Sequence, residues 1–392
     1  MKAFLPESTF YFYRGRVALY ALLRALDIGP GDEILIPGFT CIAVPSPILG
    51  MGARPVYVDI DPATYNMDPA VLAAKVTGRT KAIVAQHTFG IPCDMEAIMS
   101  IAEQHRLPVI EDACHVWGST YQGRELGSIG VAAFYSYDPG KPFIIGMGGA
   151  ATVNSERLRA RLVEFYHEFK CPSAGEVAKL HLQYLAHRFT QDPRLFWTVR
   201  DVYRLLSRKG LAIATWTADT FEGKLGPDYQ KGLAPSLQNR LLAMMSKADK
   251  VIARHQRLAK QYETGLHAMG IPGLSTPPGC EAVLICYPMQ VTNKGALLEE
   301  ARKARVELGD WFSSPVHPLA EDQWQAVGYE KGSCVEAEQV SRQVITLPCH
   351  AGVTAATAAR TLQFLQGAKE RGVFTPVQVS SSSAGVSRKV SL

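Results

Sequence analysis

The chain has 392 residues, 47% of them hydrophobic and 20% charged, which suffices for a large domain with an extensive core and a smaller second domain. Its formal charge of +5, from 41 Lys and Arg against 36 Asp and Glu, is not concentrated in a basic arm, so the composition argues against a nucleic-acid partner. No run reaches the roughly 18 apolar residues of an integral membrane segment, and the opening sequence MKAFLPESTFYFYRGR lacks the apolar core of a secretory signal.

The first part of the chain predicts a mostly parallel sheet covered by helices. Helical spacing over residues 17–26 stops at Gly29-Pro30-Gly31, and alternating strand-like and helix-like segments follow. The predicted strands are residues 33–37, 55–59, 81–85, 107–111 and 132–136. Each ends in polar or glycine-containing sequence. Because open parallel sheets bind ligands beyond the carboxyl ends of their strands, we expect a binding site at that edge.

The pattern changes to long helical stretches between about residues 155 and 225, including 177–189 and 195–206. Aromatic residues stand here among basic ones: Phe196, Trp197, Tyr203 and Trp216. A lid or a membrane-surface helix is conceivable, but aromatic stripes at helical spacing are more often core, so we favour a packed helical insertion.

The sequence further predicts three parts of the chain. A long helix over about residues 237–266 leads into a second set of strands and helices that ends near residue 365, and the serine-rich tail shows no periodicity. We therefore expect a large ligand-binding domain over 1–236, a small C-terminal α+β domain over 237–370, and a flexible tail over 371–392.

The eight cysteines form no CxxC pair and show no zinc-ligand spacing with histidine, and several lie in apolar stretches. This usage is typical of reduced thiols in a cytoplasmic protein and predicts no metal site.

Two polar residues follow consecutive predicted strands. Asp112 comes directly after strand 107–111, and Lys141 follows strand 132–136 in a turn set by Pro139 and Gly140. The glycines at 146, 148 and 149 permit close backbone approach beside the lysine. A lysine amine, a carboxylate for a pyridine nitrogen and nearby phosphate donors are what a pyridoxal 5'-phosphate enzyme requires. Alone, each residue is weak evidence, since such an Asp is usually a cap and such a Lys is usually solvated.

A series of sequence blocks resembles the DegT/StrS-type aminotransferases, over roughly residues 15–150 and 232–365. The blocks, in order, are 29–40 (GPGDEILIPGFT), 55–62 (PVYVDIDP), 80–83 (TKAI), 87–95 (HTFGIPCDM), 111–115 (EDACH), 316–318 (VHP), 327–329 (VGY) and 347–352 (LPCHAG). The resemblance implies the aspartate-aminotransferase-like fold type I of pyridoxal-phosphate enzymes, an α/β fold with a mostly parallel, seven-stranded-type sheet between helices and a smaller C-terminal α+β domain.

Position by position, the resemblance makes Lys141 the residue that carries the cofactor as a Schiff base and shuttles the proton. It makes Asp112 the partner of the pyridine nitrogen. His115 takes the place of a Gln or His that contacts the phenolic oxygen of the cofactor, and Cys114 replaces a small residue that packs on one face of the ring. For His115 and Cys114, a role in core packing is the plainer alternative.

The resemblance also implies a phosphate site. Ser136, five residues before the lysine, takes the place of a phosphate-binding hydroxyl. Gly15 and Arg16 stand where the family often has Gly-Thr at the start of its first helix, so the helix amides and the Arg16 guanidinium are expected to bind phosphate. A solvated arginine is the alternative for Arg16.

Two departures from the family pattern affect the surroundings of the cofactor. Cys41 replaces the aromatic residue that often stacks on the cofactor ring. Residues 231–234 (KGLA) replace an Asn-Tyr-Arg-Met stretch whose Asn reaches the phosphate of a neighbouring subunit. Together with the helical insertion, these changes point to an unusual acceptor pocket while leaving the cofactor chemistry intact.

The resemblance implies a transaminase that moves an amino group from an amino acid, expected to be glutamate, to a keto-sugar, expected to be nucleotide-linked, in a homodimer with active sites at the subunit interface. A sugar dehydratase of the same family and a catalytically silent pyridoxal-phosphate-binding relative remain alternatives. Lys141 argues against the dehydratase, because relatives with that chemistry often carry histidine instead. A nicotinamide oxidoreductase would need a glycine fingerprint after residues 34–36, and none follows.

Overall fold

A computed structural model describes residues 8–190 and 218–377 of the chain. Within these residues the helices are α1 Gly15–Ala25, α2 Pro45–Gly50, α3 Pro69–Lys75, α4 Met95–His105, α5 Glu156–Tyr166, α6 Ala174–Thr190, α7 Ala218–Phe221, α8 Pro235–Met245, α9 Ala248–Ala268, α10 Lys294–Lys303, α11 Val335–Gln343 and α12 Ala355–Glu370. Short 3-10 turns cover Thr88–Gly90, Pro227–Gln230 and Glu321–Val327.

The strands follow the same chain order. They are β1 Thr9–Phe12, β2 Glu33–Pro37, β3 Thr40–Cys41, β4 Arg54–Val58, β5 Ile60–Asp61, β6 Asn66–Met67, β7 Thr80–Gln86, β8 Val109–Asp112, β9 Thr120–Tyr121, β10 Arg124–Glu125, β11 Ala132–Ser136, β12 Gly149–Val153, β13 Cys280–Glu281, β14 Cys286–Gln290, β15 Val316–His317 and β16 Val344–Pro348.

A seven-stranded sheet in the order β1-β12-β11-β8-β7-β2-β4 forms the centre of the protein. From β4 to β11 all neighbours are parallel, whereas β12 pairs antiparallel with both β11 and β1. Every residue of β2, β8 and β11 is buried, as expected for parallel strands covered by helices on both faces. The predicted α/β class with a mostly parallel sheet is confirmed.

The predicted strands agree closely with the observed ones. Strands 33–37 and 132–136 coincide with β2 and β11, and strands 55–59 and 81–85 differ from β4 and β7 by one residue at the ends. The predicted strand 107–111 begins two residues too early. Leu107 instead donates its backbone N–H to Ala102 and closes the end of α4. Strands β1 and β12, which form the antiparallel edge of the sheet, were not predicted from the sequence.

The prediction of one long helix over residues 237–266 was wrong, because α8 and α9 are separate helices. The buried positions Leu237, Leu241, Met245 and Ala248 continue at spacings of four, four and three residues through the break. At the break, Lys247 turns its backbone out of helical geometry and its N–H bonds to the carbonyl oxygen of Met244, three residues back. The spacing of the buried apolar residues therefore does not reveal the break between the two helices.

The helical insertion is described only in part. The predicted helix 177–189 lies within α6, whereas the predicted helix 195–206 and the aromatic residues Phe196, Trp197, Tyr203 and Trp216 lie outside the described residues, as does the tail beyond residue 377. Within the described ranges, no helix combines the length and apolar character needed to cross a membrane. The predicted domain boundaries at 236 and 370 stay predictions.

The last third of the chain packs on the rim of the large sheet. Strands β14 and β16 pair antiparallel, α9 packs beside β14, and α12 packs on α9. A short parallel pair joins this region to the ligand-binding edge, with Val316 of β15 opposite Thr40 of β3 and His317 opposite Cys41. The residues that follow the main strands and those near 316 therefore surround the same space.

Candidate active site

A cavity of about 330 Å³ opens at the carboxyl edge of the sheet. All eight residues proposed from the sequence line it: Gly15, Arg16, Cys41, Asp112, Cys114, His115, Ser136 and Lys141. Parallel strands bring their carboxyl ends to one edge, which is why residues more than 120 positions apart in the chain meet there. The structure thus brings together the whole predicted set, while the role of each residue stays a prediction.

Helix α1 begins directly beside β11 because two glycines allow the close contact. A Cβ added at Gly149 would lie 2.3 Å from the carbonyl carbon and oxygen of Arg14, and one added at Gly15 would lie 3.0 Å from the Cβ of Ser136. Larger residues would push the first turn of α1 away from the strand. The exposed amides of that turn and the Ser136 hydroxyl are therefore held at one end of the cavity.

Two buried arginines flank the start of α1. Arg14 and Arg16 are each only 5% exposed, and both line the cavity. Arg14 donates from Nε to Asp228 at 3.1 Å, and a terminal nitrogen of Arg16 lies 3.7 Å from the same carboxylate. The Nε atom of Arg16 is buried without a hydrogen-bond partner among the described residues. Burial first, and then the neighbouring Arg14, lower the pKa of Arg16, so this end of the cavity favours an anion.

Asp112, at the end of β8, is a buried acidic residue in the wall of the same cavity. The backbone N–H of Cys114 donates to its Oδ1 at 3.0 Å. The preceding Glu111 fixes the end of the strand, because its side chain accepts three backbone N–H bonds of 2.7 Å from the loop 127–130. Burial raises the pKa of Asp112, although Lys141 and the Cys114 hydrogen bonds oppose that effect. A cationic ring nitrogen would stabilise its charged form.

Lys141 lies in the predicted turn between β11 and β12. Its backbone N–H bonds to the carbonyl of Asp138, and Gly140 adopts a φ of 90°, which a glycine accepts without strain. The ammonium group lies 4.7 Å from the ring centroid of Trp311. This aromatic contact offers a cation–π interaction and covers the amine on one side.

His115 is buried in a way that fixes its proton. The backbone N–H of Phe89 donates to its Nδ1 at 3.2 Å, so Nε2 carries the hydrogen and can only donate. Burial, followed by the charge of Lys141, holds the pKa of His115 well below its usual range. The ring contacts Trp311, with 4.7 Å between centroids. His115 is therefore a neutral hydrogen-bond donor in the wall of the cavity.

The two cysteines of the cavity are protonated thiols. Burial raises the pKa of Cys114 well above its usual range and raises that of Cys41 to about 11, so both thiols stay protonated at neutral pH. Cys114 contacts the carbonyl oxygen of Phe134 through its sulfur. Neither residue offers a thiolate nucleophile.

Several lining residues were not predicted from the sequence. Arg14 stands one residue before the recognised Gly-Arg pair, and Gln86, Asp138, Trp311, Phe312 and His317 complete the walls. Arg14 could have been predicted from the sequence, because a second arginine at the start of a helix is itself a sign of an anion site. Trp311 and Phe312 carried no such signal, since only the pairing of β15 with β3 brings them to the site.

The residues present fit pyridoxal phosphate. One end of the cavity has two guanidinium groups, helix amides and a hydroxyl for a phosphate, and its walls include an amine for an aldehyde and a buried carboxylate for a pyridine nitrogen. The unpartnered Nε of Arg16 is the kind of buried donor that such an anion would satisfy.

The chain matches the DegT/DnrJ/EryC1/StrS aminotransferase family over residues 12–178 and 237–366. It is 30% identical over 338 residues to the UDP-2-acetamido-2-deoxy-3-oxo-D-glucuronate aminotransferase of Pseudomonas aeruginosa, covering 86% of this chain and 79% of that protein. It is 40% identical over 163 residues to the L-glutamine:scyllo-inosose aminotransferase of Streptomyces griseus, covering 40% of this chain and 37% of that one.

A solved structure has the same fold. A chain from Streptococcus pneumoniae assigned as a sugar aminotransferase, in its PLP form, superposes with a TM-score of 0.70 at 22% identity, over 94% of this chain and 88% of that one. The likeness supports the fold type expected from the sequence.

Proposed function

We propose that this chain, which belongs to the DegT/DnrJ/EryC1/StrS aminotransferase family, transfers an amino group from an amino-acid donor to a keto-sugar, with Lys141 and Asp112 as its catalytic residues. The family membership confirms the predicted family and the predicted class, a pyridoxal-phosphate-dependent transaminase. The observation that carries the finer proposal is one cavity that unites the lysine amine, the buried carboxylate and the doubly basic helix start.

The cofactor, when bound, supplies an electron sink for the charge left on a substrate carbon that loses its proton. Lys141 would hold it covalently through Nζ and, once displaced by the amine of a substrate, would carry the proton between the substrate carbon and the cofactor. The turn around Gly140 holds the lysine at the cavity, and the Trp311 ring beside Nζ limits access of water from that side.

Asp112 would hold the proton on the pyridine nitrogen. Its burial makes an uncompensated negative charge costly, so a cationic partner is stabilised strongly there. The Cys114 amide and the anchored Glu111 keep the carboxylate in place at the strand end. The proposed role of Asp112 therefore depends both on the burial of its carboxylate and on the hydrogen bonds that orient it.

The phosphate would lie between the first turn of α1, the two arginines and Ser136. Asp228 accepts from Arg14 and lies near Arg16, so both guanidinium groups are oriented before any anion arrives. His115, as a fixed Nε2 donor, would contact the phenolic oxygen. Cys114 would pack on the ring face, and Cys41 would line the position where the family often has an aromatic residue.

Trp311 would supply the aromatic surface that Cys41 does not. Its ring contacts both Lys141 and His115, which are the two residues proposed to flank the reacting end of the cofactor. A flat apolar surface at this position would exclude water and restrict the motion of the lysine.

Glutamate is the proposed amino donor and a nucleotide-linked keto-sugar the proposed acceptor. The UDP-linked substrate in the name of the Pseudomonas relative supports this acceptor class, while the Streptomyces relative names L-glutamine as its donor. Donor assays therefore need both amino acids side by side.

A homodimer is the proposed assembly. Leu182, Leu185 and Phe189 form an apolar stripe along α6, and each is about half or more exposed. A second copy of the chain would cover such a stripe. An active monomer in light scattering at assay concentration would contradict this proposal. The cytoplasmic location stays a prediction.

The decisive test of the proposed function is covalent trapping. Borohydride reduction of the protein loaded with pyridoxal phosphate, followed by peptide mapping, is expected to label Lys141 alone. The Lys141→Ala variant should take no label, should lose the absorbance of the lysine-bound cofactor and should show no transamination. A label on another lysine, or full activity in Lys141→Ala, would overturn the assignment.

A further inference from the structure

A second cavity, of about 560 Å³, shares Gly140 and Lys141 with the first. Its other lining residues come from the α6, α8 and α9 helices, from the loop that follows the lysine, from the loop after β16, and from Ile285 and Glu307. Helix α6 packs directly on the loop that follows the lysine, since a Cβ added at Gly146 would lie 2.6 Å from the carbonyl oxygen of Leu180. Lys141 therefore stands between the proposed cofactor site and a larger space beside it.

Positive charge dominates this second cavity. Arg254, on α9, and Arg188, near the end of α6, both line it, in addition to Lys141. The single acidic residue among its lining residues, Glu307, bonds to His350 at 3.0–3.1 Å. Two arginines and a lysine thus stand against one carboxylate that already has a partner.

Arg254 is the residue with the strongest need for a partner. It is half-buried, and its Nε atom is shielded from solvent without a hydrogen-bond acceptor in the described parts of the chain. A buried donor of this kind is costly unless something accepts from it. The adjacent His255 is neutral, since its Nδ1 donates to the Leu284 carbonyl at 2.8 Å and burial lowers its pKa to about 4. Its Nε2 is therefore an acceptor, but it makes no hydrogen bond with the Arg254 Nε.

One wall of the cavity lies outside the part of the chain that matches the family. The family match stops at residue 178 and resumes at 237, and Tyr184, His187 and Arg188 fall in the interval. Arg254 and His350 lie in the matched region. The cavity therefore combines a frame that the family match covers with a wall that it does not, which is the arrangement expected of a specificity pocket.

We propose that this second cavity binds a negatively charged oxygen group, a phosphate or a carboxylate, of the substrate that reacts at Lys141, with Arg254 as the central ligand and Arg188 at the mouth. The inference rests on the proposed transaminase function and deepens it. It requires a substrate that carries a negatively charged group at some distance from the carbon that reacts, and it excludes a substrate without one. A guanidinium offers paired donors that suit both anions.

The test measures binding of two probes to the full-length protein loaded with pyridoxal phosphate. UDP represents the phosphate of an acceptor, and glutarate represents the carboxylates of a donor. Arg254→Met is expected to weaken binding of one probe by roughly 10- to 100-fold, the usual effect of losing a charged hydrogen bond. A loss confined to UDP assigns the cavity to the acceptor, and a loss confined to glutarate assigns it to the donor.

Arg257→Met is the matched control, because Arg257 is exposed on the same helix and does not line the cavity. It should change neither dissociation constant by more than about twofold. Arg188→Met should weaken the same probe severalfold, and it decides the question if Arg254→Met does not fold, since Arg188 is exposed. Unchanged affinity for both probes in the folded variants would overturn the proposal.

Failure of the proposed function would look different. Borohydride labelling of Lys141 and cofactor content are measured on the same samples, and neither depends on Arg254. If Lys141 takes no label in the parent protein, the transaminase assignment fails. If labelling is intact while both probes bind equally well to the parent and to Arg254→Met, only the second cavity is wrongly assigned.

Discussion

The two cavities that meet at Lys141 are built differently. The first lies on strand ends whose register is fixed, and its charged groups are oriented by one another: Asp228 holds Arg14, and backbone amides hold Asp112 and Glu111. The second has a wall from α6, and its Arg254 Nε has no acceptor in the described residues. The contrast teaches that the groups proposed for cofactor chemistry are preorganised by the sheet, while substrate selection can change through helices attached to it.

The largest expected effect beyond loss of the lysine concerns Asp112 in the first cavity. Asp112→Asn keeps the shape and the Cys114 contact but removes the negative charge that would stabilise a protonated pyridine nitrogen. We expect transamination to slow by about 100- to 1000-fold, at roughly 1.4 kcal/mol of barrier for each factor of ten, with the fold and much of the cofactor retained. Single-turnover absorbance kinetics with a saturating donor would measure it.

Asp138 offers the matched comparison, because it lines the same cavity and also stands beside the proposed phosphate end. Asp138→Asn should slow the reaction far less than Asp112→Asn. If the Asp112 variant reacts at the parental rate and the Asp138 variant does not, the ring nitrogen faces the other carboxylate and the cavity is oriented differently.

An intermediate effect is expected at the anion end of the first cavity. Arg16→Ala should weaken retention of pyridoxal phosphate by roughly 1.5–3 kcal/mol, the usual worth of a hydrogen bond to a charged group, while Lys141 still takes the borohydride label at high cofactor concentration. Equilibrium dialysis against pyridoxal phosphate would give the change in affinity.

Arg24→Ala is the control for this variant. Arg24 lies in the last turn of the same helix α1 and pairs with Glu168 on the surface. Its removal should leave cofactor affinity unchanged. Equal affinities in the Arg16→Ala and parent proteins would mean that Arg14, Ser136 and the helix amides suffice for the phosphate.

The smallest expected effect is at the start of α6, which lines neither cavity. Glu176 bonds to Lys231 at 2.5 Å and accepts from Ser173, and these hydrogen bonds lower its pKa to about 2. Because the pair is close to solvent, Glu176→Gln should cost only about 0.5–1 kcal/mol of unfolding free energy at neutral pH.

The pH dependence gives the sign of this contribution. A carboxyl group whose pKa is lower in the folded protein stabilises it above the unfolded pKa and loses that effect as pH falls towards the folded value. The difference in unfolding free energy between parent and Glu176→Gln should therefore shrink from about pH 4.5 down to about 2. Urea titrations across that range would test it, and a constant difference would show that the pair acts through packing.

The sheet was predictable because its strands are short apolar runs bounded by turn residues. Strands β2 and β11 were located to the residue, and β8 was displaced because Leu107 completes the helix before it. The division between α8 and α9 was not predictable, since buried residues keep helical spacing through Lys247. The edge formed by β1 and β12 depends on pairing across about 140 residues, which local patterns do not contain.

The site was predictable to the extent that chain order reflects strand order. Asp112 and Ser136 end adjacent strands, and Lys141 follows five residues later, so sequence blocks and the parallel-sheet rule sufficed to gather them. Trp311 and His317 could not be placed in this way, because they reach the cavity through β15 from a region almost 200 residues away. The second cavity had no sequence signal, since Arg254 and Arg188 lie on surface-like helical segments.

The short pairing of β3 with β15 joins two distant parts of the chain at the border of the first cavity. Cofactor binding in that cavity is therefore expected to stabilise this pairing. Thr40 and Ile42 bond to the backbone at Pro315 and His317, and this seam borders the first cavity through Cys41 on one side and His317 on the other. A ligand that contacts both sides adds its binding free energy to the seam, about 2.7 kcal/mol at a free concentration of 100 times Kd. Saturation with pyridoxal phosphate should therefore slow proteolytic cleavage near residues 311–318. This segment lies far along the chain from most of the residues proposed to bind the cofactor, which precede residue 142.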